Sequence, residues 1–304
     1  MRILVIGKNG QLGRSIQEVI LNSKVSDDYI LVGRKELDLS NHVSVSNYFK
    51  NNIFDIIVNC AAYTKVDQAQ KEIELANQVN HLAVLQIAKI ANNQKAKFIH
   101  ISSDYVFDGK KNSLYTETDN VNPINIYGKT KLAGEKAIKK EMQSNIVIIR
   151  TSWVYSEFGN NFLKTILGLG KERESINVVS DQISSPTYAK DLADVILKII
   201  NNKDFQKKQN PNAIYHYSNE GEVSWYDFAK EIFKLAEIKC KINPILTSQY
   251  NALAKRPKNT SMDSSKIKEK FDINLYLWKN SLQMCLTKLL VKIPNNKDYK
   301  KIIN

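Results

Sequence analysis

The chemistry of this sequence centres on two side chains four residues apart, Tyr127 and Lys131, in the string Tyr127-Gly128-Lys129-Thr130-Lys131. At that spacing they share one face of a helix, one turn apart. A phenol titrates near pH 10 and is a poor acid at neutral pH. A neighbouring ammonium favours the phenolate and lowers that value. The pair is therefore a candidate proton donor to a carbonyl oxygen. The spacing alone has low specificity, because the chain holds 14 tyrosines and a solvated helix face shows the same pattern. A second feature adds weight. Gly7-Lys8-Asn9-Gly10-Gln11-Leu12-Gly13 follows the apolar run at residues 2–6 and precedes Ile16, Val19 and Ile20 at helical spacing. Glycines between a strand and a helix allow a tight turn and close approach of the backbone to a pyrophosphate, and the helix N-terminus offers free N–H groups to it. Gly7, Gly10, Gln11, Leu12 and Gly13 are thus candidate cofactor-binding residues.

These groups need elements to hold them. Residues 2–6, 29–32, 55–59, 97–103 and 145–150 read as strands, several of them continuous apolar runs suited to burial on both faces. Helical patterns lie between them, at 14–21, 69–92 and 127–142. This alternation predicts an α/β fold, a Rossmann-type doubly wound parallel sheet. Residues 33–35, Gly-Arg-Lys, follow the second strand, where an NAD-selective fold carries an acid for the ribose hydroxyls. Arg34 there, with Lys8, suits a 2′-phosphate instead, so NADPH is the expected cofactor and NADH the alternative. Asp38 and Leu39 are placed to border the adenine. Ala62, Tyr63 and Thr64 follow the third strand at the ligand-binding edge, and Ser103 ends the fourth.

Beyond residue 150 the pattern loosens: a helix to about 168, a short strand and turn at 178–187, helix at 191–200, an exposed loop at 201–212, a strand at 214–218, and a helix at 224–236 with Ser224 as N-cap. The tail from Leu289 is expected to fray. The domain expectation is a dinucleotide-binding unit of residues 1–150, rejoined by 187–218, and a smaller substrate-binding unit built from 151–186 and 219–304.

Composition bounds the function. The chain has 304 residues, 43% hydrophobic and 25% charged, ordinary for a soluble globular protein. Three scattered cysteines, Cys60, Cys240 and Cys285, supply neither a disulfide framework nor zinc spacing, which fits a reducing compartment and no metal. The first residues read as a strand rather than a signal peptide, and no apolar run approaches the ~20 residues that span a bilayer. A cytoplasmic protein without a membrane partner is expected. The net charge of +13 invites nucleic acid. However, the lysines are spread without a basic stripe that alternates with aromatics, which fits a general bias toward Lys and Asn; attraction of an anionic small substrate is the weaker functional reading.

Together the glycine-rich start, the Ser103 segment and Tyr127/Lys131 resemble the extended short-chain dehydrogenase/reductases that act on nucleotide sugars, and among them the dTDP-4-dehydrorhamnose reductase family. The likeness runs through 7–13, Val58-Asn-Cys-Ala-Ala-Tyr-Thr64 with Val66-Asp67, Ser102-Ser-Asp-Tyr-Val-Phe-Asp-Gly109 and Tyr127-Gly-Lys-Thr-Lys-Leu-Ala-Gly-Glu135. It continues in Arg150-Thr-Ser-Trp-Val-Tyr155, Gly159-Asn-Asn-Phe162, Asp181-Gln182, Ser185-Pro-Thr187 and Lys255-Arg-Pro257 with Asn259, covering about residues 1–285. The resemblance implies reduction of the C4 ketone of a nucleotide-linked 4-keto-6-deoxy sugar by NADPH. Tyr127 would be the general acid, Lys131 would tune it and hold the nicotinamide ribose, and Ser103 would orient the carbonyl. Asp104 and Trp153 match sugar-contacting positions, with core packing the competing role for Trp153. Gln182 and Arg256 would reach the nucleotide diphosphate, with a solvated surface position the rival for Arg256. The expected partner is a nucleotide-diphosphate sugar, and the chain would be a monomer or homodimer.

Two departures stand out. Ser184 replaces a usual glycine. Residues 279–292 hold no Glu or Asp, so the Mg²⁺ that some members bind with C-terminal glutamates is not carried over. Related activities compete. A 4,6-dehydratase would need Asp-Glu where this chain has Asp104-Tyr105, and a bifunctional epimerase/reductase would put Cys near 105. A 4-epimerase shares the catalytic set, and the basic Arg34-Lys35 pair speaks against it. A non-catalytic regulatory subunit, like that of methionine adenosyltransferase, is disfavoured by the intact Ser103/Tyr127/Lys131 set.

Overall fold

The structure, a computed structural model, describes residues 1–23, 26–207 and 213–291. The chain opens with β1 (Arg2–Ile6), α1 (Gln11–Leu21), β2 (Asp28–Val32), α2 (His42–Lys50) and β3 (Ile56–Asn59). Two short helices follow, α3 (Val66–Ala69) and α4 (Ile73–Asn77), then a π-helical turn (Gln78–Leu82) and α5 (Ala83–Gln94). After them come β4 (Lys97–Ser103), a 3-10 turn (Asp104–Val106), α6 (Ile126–Glu141) and β5 (Ile146–Thr151). The later chain runs β6 (Val154–Tyr155), α7 (Phe162–Glu172), β7 (Ser175–Val179), β8 (Ile183–Ser184), β9 (Thr187–Tyr188), α8 (Ala189–Asn201), α9 (Lys203–Gln206) and β10 (Ala213–His216). It ends with β11 (Val223–Ser224), α10 (Trp225–Leu235), β12 (Lys241–Ile245), α11 (Ser265–Phe271) and α12 (Trp278–Val291).

Six strands form one parallel sheet in the order β10-β5-β4-β3-β1-β2. Successive side chains of a strand face opposite ways. Ile3 and Val5 accordingly enter one core with Ile16 of α1 and Ile196 of α8, while Leu4 and Ile6 enter another with Val45, Val84 and Ile138 from α2, α5 and α6. Both faces are covered, which explains why β1, β3 and β5 carry continuous apolar runs, Ile3–Ile6, Ile56–Val58 and Ile146–Ile149, rather than alternating. Strand order reverses between β1 and β3, and at such a switch point the carboxyl ends of the strands open a ligand crevice. A third core, around Tyr155, Leu163, Phe228, Ile232 and Leu282, organises a second lobe beside that edge. No helix among the described residues is long and apolar enough to cross a membrane.

The structure corrects several expected elements. The single helix at 69–92 is four pieces, α3, α4, the π-helical turn and α5. Asn80, on the expected apolar face, is buried there because its amide pairs with the Tyr63 backbone. The strand expected from Val178 starts at Ser175 and pairs in parallel with β12, which the sequence reading passed over. The helix expected to end near 168 continues to Glu172. Residues 203–206 of the expected loop form α9, capped by the Asn202 side chain. Of that loop, 208–212 lie outside the described residues, as does the tail after Val291.

Candidate active site

At the end of β1 the backbone turns through Gly7, whose φ is +100°. A Cβ there would stand 2.9 Å from the Ala61 nitrogen, so both conformation and contact demand glycine. At Gly13 a Cβ would stand 2.1 Å from the Gly7 carbonyl, which seats α1 directly on the turn. Gly10 is the N-cap of α1 and no side chain caps this end. The N–H groups of the first turn, at Gln11, Leu12 and Gly13, are therefore the groups that suit a pyrophosphate. Two of these candidates turn their side chains elsewhere. Leu12 is buried in the core. Gln11 Oε1 accepts from Ser156 Oγ (2.9 Å) and Asn161 Nδ2 (2.8 Å), tying the loop to the second lobe.

Beyond β2, Arg34 is 76% exposed, and its Nε lies 3.3 Å from Asp38 Oδ2. Asp38 Oδ1 accepts from the Ser40 nitrogen (2.9 Å) and hydroxyl (2.7 Å), and the Leu39 side chain is buried in the core. Past β3, Ala62 and Tyr63 are partly buried and Thr64 is exposed. Asn80 holds this segment, accepting from the Tyr63 nitrogen (2.8 Å) and donating to its carbonyl (3.1 Å) and to Thr130 Oγ1 of α6 (3.1 Å).

Ser103 closes β4 and caps the following 3-10 turn. Its Oγ accepts from the Tyr105 nitrogen (3.2 Å) and donates to Asp104 Oδ1 (2.9 Å), and its hydroxyl lowers the pKa of the Tyr127 phenol. Tyr127 lies in the first turn of α6, which Asn125 caps by accepting from the Gly128 nitrogen at 2.8 Å. A Cβ at Gly128 would stand 2.1 Å from the Tyr105 carbonyl, so α6 presses against the turn that carries Ser103. Lys131, one turn on, is buried; its Nζ donates to the Ile101 carbonyl at 2.7 Å and sits 3.4 Å from His100 Nε2.

The electrostatics depart from the expectation that Lys131 lowers the pKa of Tyr127. Burial pushes the phenol up to about 12; the Ser103 hydrogen bond pulls it down and the Asp104 charge adds to the rise. Lys131 is not among the groups that move it; burial takes its own ammonium down to about 8, and its Nζ donates to the Ile101 carbonyl. Tyr127 is therefore a neutral phenol across the physiological range. Burial also takes the Asp104 carboxyl up to about 7, against hydrogen bonds from Thr260 and Ser103.

The second lobe contributes an aromatic wall. The Trp153 indole stacks on Trp225, with ring centroids 3.4 Å apart and planes 8° apart. Trp153 has φ of +46°, a left-handed conformation that costs a non-glycine residue roughly 1–3 kcal/mol. Both indoles are only partly buried, so the stack offers a flat surface. Gln182 is buried and donates to Thr247 Oγ1 at 3.1 Å. Arg256 is not a solvated residue: Nη1 and Nη2 donate to the two carboxylate oxygens of Asp67 at 3.1 and 2.5 Å. Ser184 is buried, its Oγ 3.1 Å from Thr260 Oγ1. The structure thus brings Ser103, Asp104, Tyr127 and Lys131 into one cluster, and turns the side chains of Gln182 and Arg256 toward Thr247 and Asp67.

Sequence reasoning missed several supports. Thr260 Oγ1 donates to Asp104 Oδ2 at 2.6 Å. Glu135 forks onto Arg150 (3.0 and 2.7 Å) and accepts from Ser102 Oγ (2.5 Å), all buried. Glu135 lies four residues past Lys131, and that spacing could have flagged it; nothing local marks Thr260.

A six-stranded doubly wound sheet with a glycine turn at its first crossover and a Ser–Tyr–Lys cluster at its carboxyl edge defines an NAD(P)-dependent reductase of the extended short-chain dehydrogenase/reductase class. Residues 1–291 match the family model for the RmlD substrate binding domain, and the chain belongs to that family. It is 40% identical to the dTDP-4-dehydrorhamnose reductase of Aggregatibacter actinomycetemcomitans, over 93% of this chain and 97% of that one. It is 38% identical to the dTDP-4-dehydrorhamnose reductase of Escherichia coli K12, over 95% and 98%. Among solved structures it resembles a dTDP-4-dehydrorhamnose reductase from Clostridium acetobutylicum, with TM-score 0.88, 37% identity, and coverage of 96% and 100%. A dTDP-4-dehydrorhamnose reductase from Bacillus anthracis, solved in complex with NADP, has TM-score 0.86 and 38% identity, with coverage of 94% and 99%.

Proposed function

We propose that this chain reduces the C4 ketone of dTDP-4-dehydro-β-L-rhamnose to dTDP-L-rhamnose in the cytoplasm, with NADPH as the preferred reductant and NADH as an alternative. The observation that carries the reading is the convergence of Ser103, Tyr127 and Lys131 at the carboxyl edge of the sheet, in a chain with full-length similarity to reductases of that name. NADPH, when bound, supplies the hydride. The first-turn N–H groups of α1 would hold its pyrophosphate, Arg34 and Lys8 would supply positive charge on the side of its 2′-phosphate, and Lys131 would hold the nicotinamide ribose. Ser103 donates to the substrate carbonyl and orients it. Tyr127, neutral and with Ser103 beside it, gives its proton to the oxygen at C4 as negative charge builds there. In the bound complex Lys131, one helical turn away on the same helix face, would be the cation available to the phenolate once the proton has left.

Residues 151–186 and 219–291 take the nucleotide sugar, with Trp153 and Trp225 as the flat apolar face and Asp104 at the sugar. Gln182 and Arg256 hold the walls through Thr247 and Asp67 and reach the diphosphate on small rotations. Tyr127→Phe tests the reading, since it removes one oxygen and leaves the ring. Turnover should fall by roughly a thousandfold, within the usual range for loss of a general acid. The dissociation constant for NADPH, measured by fluorescence titration, should stay within a factor of about two, because the cofactor's binding groups are untouched. Near-normal turnover would remove Tyr127 from the role.

A further inference from the structure

The position directly after β2 cannot carry the acid that dinucleotide folds use for the adenosine ribose. Gly33 occupies it and has no side chain to offer; the Asn9 amide fills the space, with Nδ2 2.7 Å from where a Cβ would stand. A carboxylate nevertheless reaches this place from another residue. Glu36 Oε2 accepts from the Gly33 nitrogen at 2.9 Å, and Glu36 Oε1 accepts from Lys8 Nζ of the glycine-rich turn at 2.8 Å. The chain returns onto itself to allow this, with the Glu36 and Leu37 nitrogens donating to the Gly33 carbonyl at 3.2 and 2.9 Å. The carboxylate is therefore fixed at two points, beside the first strand-to-helix turn and at the tip of β2. That is where the 2′ and 3′ positions of an adenosine ribose lie in such folds. Arg34, the other candidate for reading a 2′-phosphate, is engaged by Asp38 and Ser40, each at 3.3 Å.

We infer that Glu36 is the specificity-determining residue for the cofactor and that it restrains the preference for NADPH. This rests on the dinucleotide-site reading above. With NADH, the ribose hydroxyls donate to the Glu36 carboxylate and the Lys8–Glu36 pair stays closed. With NADPH, the 2′-phosphate meets a like charge, and Lys8 must leave Glu36 to neutralise it. The carboxylate favours one cofactor and opposes the other, while the lysine beside it moves between carboxylate and phosphate. The pair thus works as a two-position selector in a site that accepts both. Both side chains are partly exposed, at 30% for Lys8 and 42% for Glu36, so each effect is screened and of modest size.

Glu36→Gln tests this, because the amide oxygen can still accept from the Gly33 nitrogen while the charge is lost. The readout is binding, by calorimetric titration of NADPH and of NADH separately in the absence of substrate. The dissociation constant for NADPH should fall and that for NADH should rise, changing their ratio by about tenfold in favour of NADPH, with the effect shrinking at high salt. Dissociation constants that move together, or a ratio that does not move, would overturn the inference and leave the dinucleotide site standing. Wild-type protein that binds neither dinucleotide would overturn the site and the inference together. Equal thermal unfolding of variant and wild type confirms that the comparison is between folded proteins.

Discussion

Asp104 shows most clearly how burial sets the chemistry of single side chains in this site. Its carboxyl is buried at 2% exposure, touches Ser103 and Thr260, and titrates near 7 rather than near its ordinary 3.8. Folding therefore favours the protonated form. The sign follows from linkage: between the unfolded value and about 7 the folded chain binds more protons than the unfolded one, so stability is full below pH 4 and falls as pH rises toward 7. Asp104→Asn removes this loss. The variant should gain on wild type by about 1–2 kcal/mol between pH 4 and pH 8, less than the full linkage value because the site can relax. Thermal unfolding at the two pH values measures it, and a gap that is constant with pH would contradict a raised carboxyl. At this scale the sequence was informative where function imposes short spacing. Tyr127, Lys131 and Ser103 could be picked out as candidates because the proposed proton donor, its cation and its hydroxyl must sit on one helix turn and one strand end. The state of Tyr127 was not legible, because the direction of its titration depends on burial by residues far away in the chain.

Among the elements, α6 does the positioning, and it is held from three sides. Gly128 lets it touch the Tyr105 carbonyl, Gly134 lets it touch the Asn80 carbonyl of the π-helical turn, and Glu135 joins it to β5 through Arg150. A Cβ at Gly134 would stand 2.3 Å from the Asn80 oxygen, so the helix and the turn are in backbone contact. Glu135→Ala would leave the Arg150 guanidinium buried at 2% exposure without its carboxylate. Loss of one partner of a buried pair costs about 3–5 kcal/mol, and chemical denaturation should show a loss of that size. A loss under about 1 kcal/mol, the value of an exposed pair, would mean that the pair is open to water. The parallel sheet and most of its crossovers could be read from periodicity, since buried strands and amphipathic helices leave distinct repeats. The break at 70–82 could not, because a π-helical turn keeps the apolar spacing of a helix while shifting its register to seat Asn80. Strand β12 was equally hidden: Lys241–Ile245 contains Pro244 and alternates weakly, and only its pairing with β7 makes it a strand.

In the whole molecule the late segment 254–260 laces the two lobes together across the candidate site. The Ala254 nitrogen and Arg256 bind Asp67, the Lys255 carbonyl accepts from Asn125, Pro257 covers Gly109, and Thr260 reaches Asp104 and Ser184. These partners lie up to 189 residues apart in sequence. That distance is why Arg256 could be picked out by resemblance but not paired by reasoning: periodicity is local, and closure of the site is not. On the proposed reading, a hydride acceptor would lie between the sheet edge and the Trp153–Trp225 wall, with Ser103 and Tyr127 at its oxygen. The most direct test follows NADPH oxidation by the intact chain with dTDP-4-dehydro-β-L-rhamnose and identifies the sugar formed. The account predicts one dTDP-L-rhamnose for each NADPH consumed; no oxidation, or a product other than the C4-reduced rhamnose, would contradict it.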